Sequence, residues 1–195
     1  ALYKGRSVGA IGDIGCWSFC QDKIITTGGE GGMVTTNNRE LWSKVWSYKD
    51  HGKSWEAVYE QEHPPGFRWM IESFGTNGRM TEMQATIGRI QLKRMEDWHR
   101  VRSENANTIL DCCEKFSSVF RVPRPPDYIE HAWYKCYVFV QPNGLGEGWT
   151  RDRIIEEINA RGIPCFQGSC SEVYLEKAFD GSGFRPEERL PMAKE

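Results

Sequence analysis

No apolar run in this chain of 195 residues approaches the roughly 18 residues of a membrane-spanning helix. The first residues show no basic stretch followed by an apolar core, so no secretory signal is expected. Neither sign of charge is in excess: 25 Lys and Arg face 27 Asp and Glu, a net charge of −2. That balance gives no general attraction to nucleic acid or to an anionic membrane. Histidine is scarce, with four in all. The seven cysteines (Cys16, Cys20, Cys112, Cys113, Cys136, Cys165 and Cys170) are odd in number and irregularly spaced. Neither Cys16/Cys20 nor Cys165/Cys170 is a Cys-x-x-Cys pair, and no histidine pair lies near them at ligand spacing. This argues against a zinc site, a disulfide framework or a cysteine-based redox centre. The thiols are read as structural, reduced and mostly buried. There is no internal repeat and no low-complexity tract. The expectation is a cytoplasmic protein with no metal and no membrane or nucleic-acid partner.

Aromatic residues, by contrast, are abundant: Trp 8, Phe 9 and Tyr 7. They call for a real core, large contact surfaces, or both. The chain opens at Ala1 straight into "LYKGRSVG" and stops at "RLPMAKE", and it is read as a piece of a longer protein.

Periodicity gives a coarse map. "DIGCWSF" (Asp13 to Phe19) and "GMVTTN" (Gly32 to Asn37) read as strands. Asn38 fits the cap of a helix through "RELWSKVWSY", with Leu41, Val45 and Tyr48 on one face. Asp50 to Phe67 reads as a long loop. Proline is missing from Phe67 to Val122. Within that stretch Met83, Ile87 and Ile90 form one apolar face, and Ala85, Gly88, Leu92 and Met95 a second. The charged run Lys93 to Glu104 is expected to carry this helix into solvent, with a resumption through Ile109 to Phe116. "RVPRPPDY" breaks the chain. "AWYKCYVFV" (Ala132 to Val140) reads as a strong strand. A helix capped by Thr150 follows, with an Ile154, Ile155 and Ile158 stripe and Gly162 just past its end. "IPCF" (Ile163 to Phe166) reads as a last strand. Strand, helix and strand together suggest a small α/β unit from about Val119 onward.

One stretch raises a chemical question. "WSFCQDKIITTGGEGGMVTTNN" (Trp17 to Asn38) places Lys23 shortly before four glycines around Glu30. A lysine amine can form a Schiff base with a carbonyl, and pyridoxal phosphate is the commonest cofactor that uses this. Ser18 could donate to a phosphate, and glycines let backbone approach closely and turn tightly. By the residues alone, an ordinary surface lysine and a tight turn account for the stretch more simply.

The segment "GDIGCWSFCQDKIITTGGEGGMVTTNN" resembles the lysine segment of the DegT/DnrJ/EryC1/StrS family of pyridoxal-phosphate-dependent sugar aminotransferases. "YKGRSVGAIGD", the His51-Gly52 pair, "FGTNGRMTEMQATIGRIQL" (Phe74 to Leu92) and the "RGIPC" turn resemble further family segments. The resemblance implies an α/β chain of type I aminotransferase-like fold. Residues 1–80 would be part of the large cofactor-binding domain, 81–118 a linking helical segment and 119–195 an incomplete small C-terminal domain. It implies pyridoxal 5'-phosphate as cofactor, covalently held by Lys23, which would also shuttle the proton between cofactor and substrate carbons. Ser18 would hold the cofactor phosphate. Asn77 would reach the phosphate of the neighbouring subunit's cofactor in a homodimer with shared active sites. Arg79 would meet an anionic part of the substrate. The bland readings are a turn residue for Asn77 and a surface charge at a helix start for Arg79. Glu30 is read as structural. Two departures stand out: Gly78 replaces an aromatic residue common in the family, and the family's aspartate for the pyridine nitrogen falls before the segment resembling "LYKGR".

The implied reaction moves an amino group from glutamate, the amino-acid donor, onto a nucleotide-linked keto-sugar, for surface polysaccharide or glycoside synthesis. Relatives that remove a sugar hydroxyl use histidine in place of the lysine, so Lys23 argues against that branch. The alternative reading is a non-catalytic fragment that folds and dimerises without holding cofactor.

Overall fold

The computed structural model describes residues 1–168 and 172–194. Cys170, read above as a structural thiol, lies outside the described residues. In chain order the first elements are β1 (Leu2–Tyr3), β2 (Arg6–Ser7), β3 (Gly15–Ser18), β4 (Gly32–Thr35), α1 (Arg39–Lys49) and α2 (Trp55–Tyr59). They are followed by α3 (Glu82–Leu92), α4 (Met95–Glu114), β5 (Phe120–Arg121), β6 (Ile129–Glu130), β7 (Phe139–Val140), α5 (Arg151–Ala160) and α6 (Pro191–Lys194). They fall into two compact units: Ala1–Lys115 with Pro123–Cys136, and Phe116–Val122 with Tyr137–Glu195.

In the first unit the two expected strands are present, and β3 and β4 pair antiparallel, with Gly15 opposite Thr35 and Ser18 opposite Gly32. The Trp17 indole donates to the Thr35 hydroxyl at 3.0 Å, and that hydroxyl donates to the Gly9 carbonyl at 3.2 Å. Residues 19–31 between the strands form the loop that carries Lys23. α1 starts where the sequence predicts: the Asn38 side chain accepts from the Glu40 and Leu41 amides at 2.9 and 3.2 Å. Leu41 and Val45 are half-buried, whereas Tyr48 on the same stripe is exposed.

The Asp50 to Phe67 stretch is not wholly a loop, because it contains α2. The Ser54 hydroxyl caps it, accepting from Ala57 N–H at 3.0 Å. Trp55 and Tyr59, one turn apart, pack on Trp42 and Trp46 of α1 with ring centroids 5.4 to 6.1 Å apart. Aromatic packing on a neighbouring helix therefore makes this single turn, which propensity alone would not hold.

The helical stretch after it also differs from expectation. α3 ends at Leu92, and α4 is continuous through the charged run that was expected to leave the protein. Its inward stripe is Met95, His99, Arg102, Ala106, Leu110 and Cys113, at spacings of three and four. Polar side chains, His99 and Arg102, interrupt that stripe, which hid it from a reading of apolar periodicity. Leu110 is wholly buried, while Ile109 is 48% exposed. On α3 the face of Gln84, Ala85, Gly88 and Gln91 packs inward, and Met83, Ile87 and Ile90 are exposed.

The predicted strand from Ala132 to Val140 is reduced to Phe139–Val140. Trp133 has φ 51°, the left-handed region, which takes the chain out of extended geometry. The Trp133 amide and carbonyl bond to side chains instead of a ladder, to His131 Nδ1 at 3.0 Å and Arg102 at 3.2 Å.

The second unit pairs β5 with β7 antiparallel, Phe120 opposite Val140. α5 is capped by Thr150, whose hydroxyl accepts from Arg153 N–H at 3.1 Å. It ends in a Schellman motif, with Gly162 N–H to Asn159 at 2.9 Å and Ile163 N–H to Ile158 at 3.4 Å. Ile163 to Phe166 form no strand, contrary to expectation. Asn159 satisfies both backbone groups of Cys165, donating to its carbonyl at 2.7 Å and accepting from its amide at 3.2 Å. Further on, buried Glu172 accepts from Tyr174 and pairs with Arg189.

The six described cysteines are free, but none is fully buried, and Cys16 and Cys112 are exposed. Among the described residues no helix is long and apolar enough to cross a membrane.

Two substitutions check the corrected α4 register. Leu110→Ala should lower unfolding free energy by about 2–5 kcal/mol, whereas Ile109→Ala should change it by no more than about 0.5 kcal/mol. Denaturant titration of the two variants reads the difference. Asn38→Ala should cost about 1 kcal/mol through loss of the α1 cap.

Candidate active site

The lysine loop is built from the backbone outward. Part of its backbone pairs within the loop, Phe19 N–H to the Gly31 carbonyl at 2.8 Å and Thr27 N–H to the Phe19 carbonyl at 3.1 Å, and side chains of α3 supply further partners. Gln91 Oε1 accepts from the Thr26 amide at 2.9 Å, and Gln84 Nε2 donates to the Glu30 carbonyl at 2.8 Å. Gln84 and Gln91 are seven residues apart, two helical turns, so both reach the loop from one face. Thr27 is buried, and its hydroxyl donates to the Glu30 carbonyl at 3.0 Å. Glu30 thus contributes through its carbonyl, while its side chain is exposed.

The glycines answer the question that the sequence raised. Gly28 and Gly29 have φ of 78° and 137°, conformations that side chains other than glycine's disfavour. At Gly31 a Cβ would lie 2.1 Å from the Thr27 hydroxyl, so only glycine fits over that buried residue.

Lys23 is half-buried on this loop. Its ammonium donates to Asp22 Oδ1 at 2.9 Å and to the Tyr134 hydroxyl at 3.4 Å, and it lies 5.2 Å from the Tyr134 ring centre. The Tyr134 hydroxyl donates to Asp22 Oδ2, and Cys20 Sγ donates to Asp22 Oδ1 at 2.8 Å. Those donors, Cys20 first, then Tyr134 and Lys23, hold the Asp22 carboxyl well below the usual carboxylate range. The hydrogen bond to Asp22 in turn holds the Lys23 amine well above the usual lysine range. Neither Asp22 nor Tyr134 was singled out from the sequence. Asp22 is adjacent to Lys23 and was open to notice; Tyr134 is 111 residues away and carried no local signal.

Ser18 closes β3 and is exposed, and among the described residues its hydroxyl has no hydrogen-bond partner. Asn77 and Arg79 lie elsewhere in the unit, at the end of α1. The backbone there is tied by Thr76 N–H to Tyr48 at 2.7 Å and Gly78 N–H to Lys49 at 2.9 Å. Arg79 Nε donates to Asn77 Oδ1 at 2.6 Å. Its guanidinium also meets Asp50 Oδ1 at 3.2 Å, a charge contact without the alignment of a hydrogen bond. Asp50 is largely buried, so it fixes Arg79, and Arg79 fixes the oxygen end of the Asn77 amide. Among the described residues the donor end of Asn77 has no hydrogen-bond partner, and the residue is exposed. Among the described residues no hydrogen bond or ion pair joins Asn77 or Arg79 to Ser18 or Lys23. A shallow cleft of about 350 Å³, lined by Asn38, Arg39, Trp42 and Trp55 among others, includes none of these four residues.

Comparison with known proteins identifies the family. A solved aminotransferase from Psychrobacter cryohalolentis is 65% identical and superposes with a TM-score of 0.95, over 100% of this chain and 51% of that one. GDP-perosamine synthase from Caulobacter vibrioides is 32% identical over 165 residues, 84% of this chain and 40% of that protein. The dTDP-3-amino-3,4,6-trideoxy-alpha-D-glucose transaminase of Streptomyces venezuelae is 27% identical over 100% of this chain and 45% of that protein. The chain thus spans about half or less of the length of these relatives. Its α/β fold is of the type I aminotransferase kind. The match to the family extends over residues 1–195, and the chain belongs to the DegT/DnrJ/EryC1/StrS aminotransferase family.

Proposed function

We propose that the protein is a pyridoxal-phosphate-dependent aminotransferase that moves an amino group from glutamate to a nucleotide-linked keto-sugar, in the cytoplasm, for surface polysaccharide or glycoside synthesis. The observation that carries this reading is a half-buried lysine amine on a glycine-cornered loop, with a free hydroxyl at the neighbouring strand end. Relatives named for nucleotide-sugar products support the substrate class.

The residues present fit the anchoring part of such a cofactor site. Lys23 offers the amine for covalent attachment, and Ser18 offers an unpartnered donor for a phosphate oxygen. Gly32, opposite Ser18, adds no side chain to the rung beside that hydroxyl. The bound group supplies an electron sink for breaking bonds at the amino-bearing carbon. Lys23 then carries the proton between carbons, which requires an amine that can leave its anchoring bond.

Asn77 reads as a phosphate donor for a second subunit's site, with Arg79 beside it for an anionic part of the substrate. Two observations support this. Both are exposed and, among the described residues, neither is hydrogen-bonded or ion-paired to Lys23, while Arg79 engages only the oxygen end of the Asn77 amide. The neighbouring segment exposes Phe67 at 82%, Trp69 at 92% and Phe74 at 101%, apolar surface of the kind a homodimer covers. In domain terms, residues 1–80 read as part of the cofactor-binding domain, 81–118 as the link and 119–195 as the small C-terminal domain.

Incubation with pyridoxal phosphate, reduction by borohydride and peptide mapping test the anchor. The label should fall on Lys23 and vanish in Lys23→Ala, whose glutamate-dependent amination of keto-sugars should drop by about 10²–10⁴-fold or more. A folded protein labelled only on other lysines, or not at all, would overturn the reading and leave a scaffold. Asn77→Ala should weaken pyridoxal phosphate binding by roughly tenfold or more, the worth of a hydrogen bond to a charged group. Fluorescence titration at rising protein concentration would show whether that loss follows dimer formation.

A further inference from the structure

We propose that Asp22 and Tyr134 are positioning residues that form a dock for the free amine of Lys23, a rest position it must leave before it can react. The proposal rests on the reading of Lys23 as the anchor and adds two residues to it.

The dock is complete in hydrogen-bond terms. Both carboxylate oxygens of Asp22 are engaged, Oδ1 by Lys23 and Cys20 and Oδ2 by Tyr134. The Tyr134 hydroxyl donates to Asp22 and accepts from Lys23, so one oxygen closes a three-membered ring of contacts. Asp22 and Lys23 are neighbours in sequence, and side chains of neighbours in extended chain point to opposite sides. The turn bonded from Lys23 N–H to the Cys20 carbonyl at 3.1 Å brings them to the same side.

Tyr134 is aimed at this point by strained backbone. Trp133 before it has φ 51°, an outlier for a bulky residue. The kink is held by α4: Arg102 donates to the Trp133 carbonyl at 3.2 Å, and His99 bonds the His131 carbonyl at 2.9 Å. His131 Nδ1 accepts from the Trp133 amide, and the two rings are in contact at 4.5 Å. Four interactions thus over-determine one unfavourable dihedral angle, the pattern in which strain is kept for a purpose. What it delivers is the Tyr134 hydroxyl beside the amine.

The chemical consequence concerns nucleophilicity. An amine attacks a carbonyl only when neutral, and a paired carboxylate favours the charged form. The groups facing the amine are Asp22, Cys20 and Tyr134; Lys135 lies 5.4 Å from the other contact of the dock, the Tyr134 ring. In the dock Lys23 stays protonated through the range in which an exposed lysine begins to react. Once the amine is bonded to a carbonyl, Asp22 keeps the hydroxyl of Tyr134 and the thiol of Cys20, so the vacated dock remains assembled for the amine's return.

Competitive acetylation of the cofactor-free protein, read by mass spectrometry from about pH 7 to about pH 11, brackets the ordinary lysine pKa of about 10.4. Lys93, exposed and without an ion pair among the described residues, serves as internal reference. Lys23 should lag Lys93 by about tenfold or more below the reference midpoint. The sign is set by the pairing: a raised amine pKa moves the onset of reactivity to higher pH, and Asp22→Asn should move it back down. Tyr134→Phe should shift it the same way by a smaller factor. Equal reactivity of Lys23 and Lys93 in the native protein, or an unchanged lag in Asp22→Asn and Tyr134→Phe, overturns the proposal. If Asp22→Asn does not fold, the native profile and Tyr134→Phe decide. The outcomes separate from those of the functional reading. A protein that protects Lys23 but never takes pyridoxal phosphate there loses the aminotransferase reading. One that takes it there while its amine reacts like Lys93 loses the dock.

Discussion

The loop between β3 and β4 must present an amine while much of its backbone lies beyond the β3–β4 ladder, and α3 supplies partners there. Buried amides and carbonyls without partners are costly, and Gln84 and Gln91 meet that need from one helical face. Their spacing of two turns matches the span from Thr26 to Glu30. Thr27 plugs the gap between loop and helix, with its hydroxyl turned back on the Glu30 carbonyl. Gly88 on α3 completes the fit: a Cβ there would lie 2.9 Å from the Thr27 methyl carbon. The glycines at 28, 29 and 31 follow from this packing, since the backbone must turn over a buried threonine at close range.

Much of this was legible in the sequence where the signal is local. Asn38 and Thr150 were readable as caps because capping depends on a side chain and amides two or three residues on. The strands β3 and β4, though not their pairing, and Gly162 were likewise readable from neighbouring residues. The failures share an opposite cause. Trp133 breaks a stretch with every local mark of a strand, and the groups that hold it there come from Arg102 and His99 on α4. Ile163 to Phe166 look extended, yet Asn159 takes the backbone bonds a strand would have used. The inward face of α4 carries His99 and Arg102, which a count of apolar residues passes over. At the candidate site, Lys23 and Ser18 stood out through the resemblance of their segment. Tyr134 did not, because contact across 111 residues is a property of the fold alone.

Two groups of polar residues emerge with different electrostatic characters. Around Lys23 the charges are closed on themselves: one cation, one anion and a phenol satisfy one another. Around Asn77 they are left open. Asp50 neutralises part of Arg79, Arg79 occupies the amide oxygen, and two amide hydrogens face outward. The first arrangement suits a group that must be kept until needed. The second suits a surface presented to an anion arriving from elsewhere.

α3 touches the lysine loop with one side and turns Met83, Ile87 and Ile90 outward with the other. A helix is stiff along its axis, and two of its side chains, Gln84 and Gln91, bond the loop at 2.8 and 2.9 Å. A rigid displacement of α3 would therefore act on Thr26 and Glu30 together, because both bonds come from one helix. Met83, Ile87 and Ile90 thus stand on the same helix that holds the lysine loop, one helix radius away from the bend.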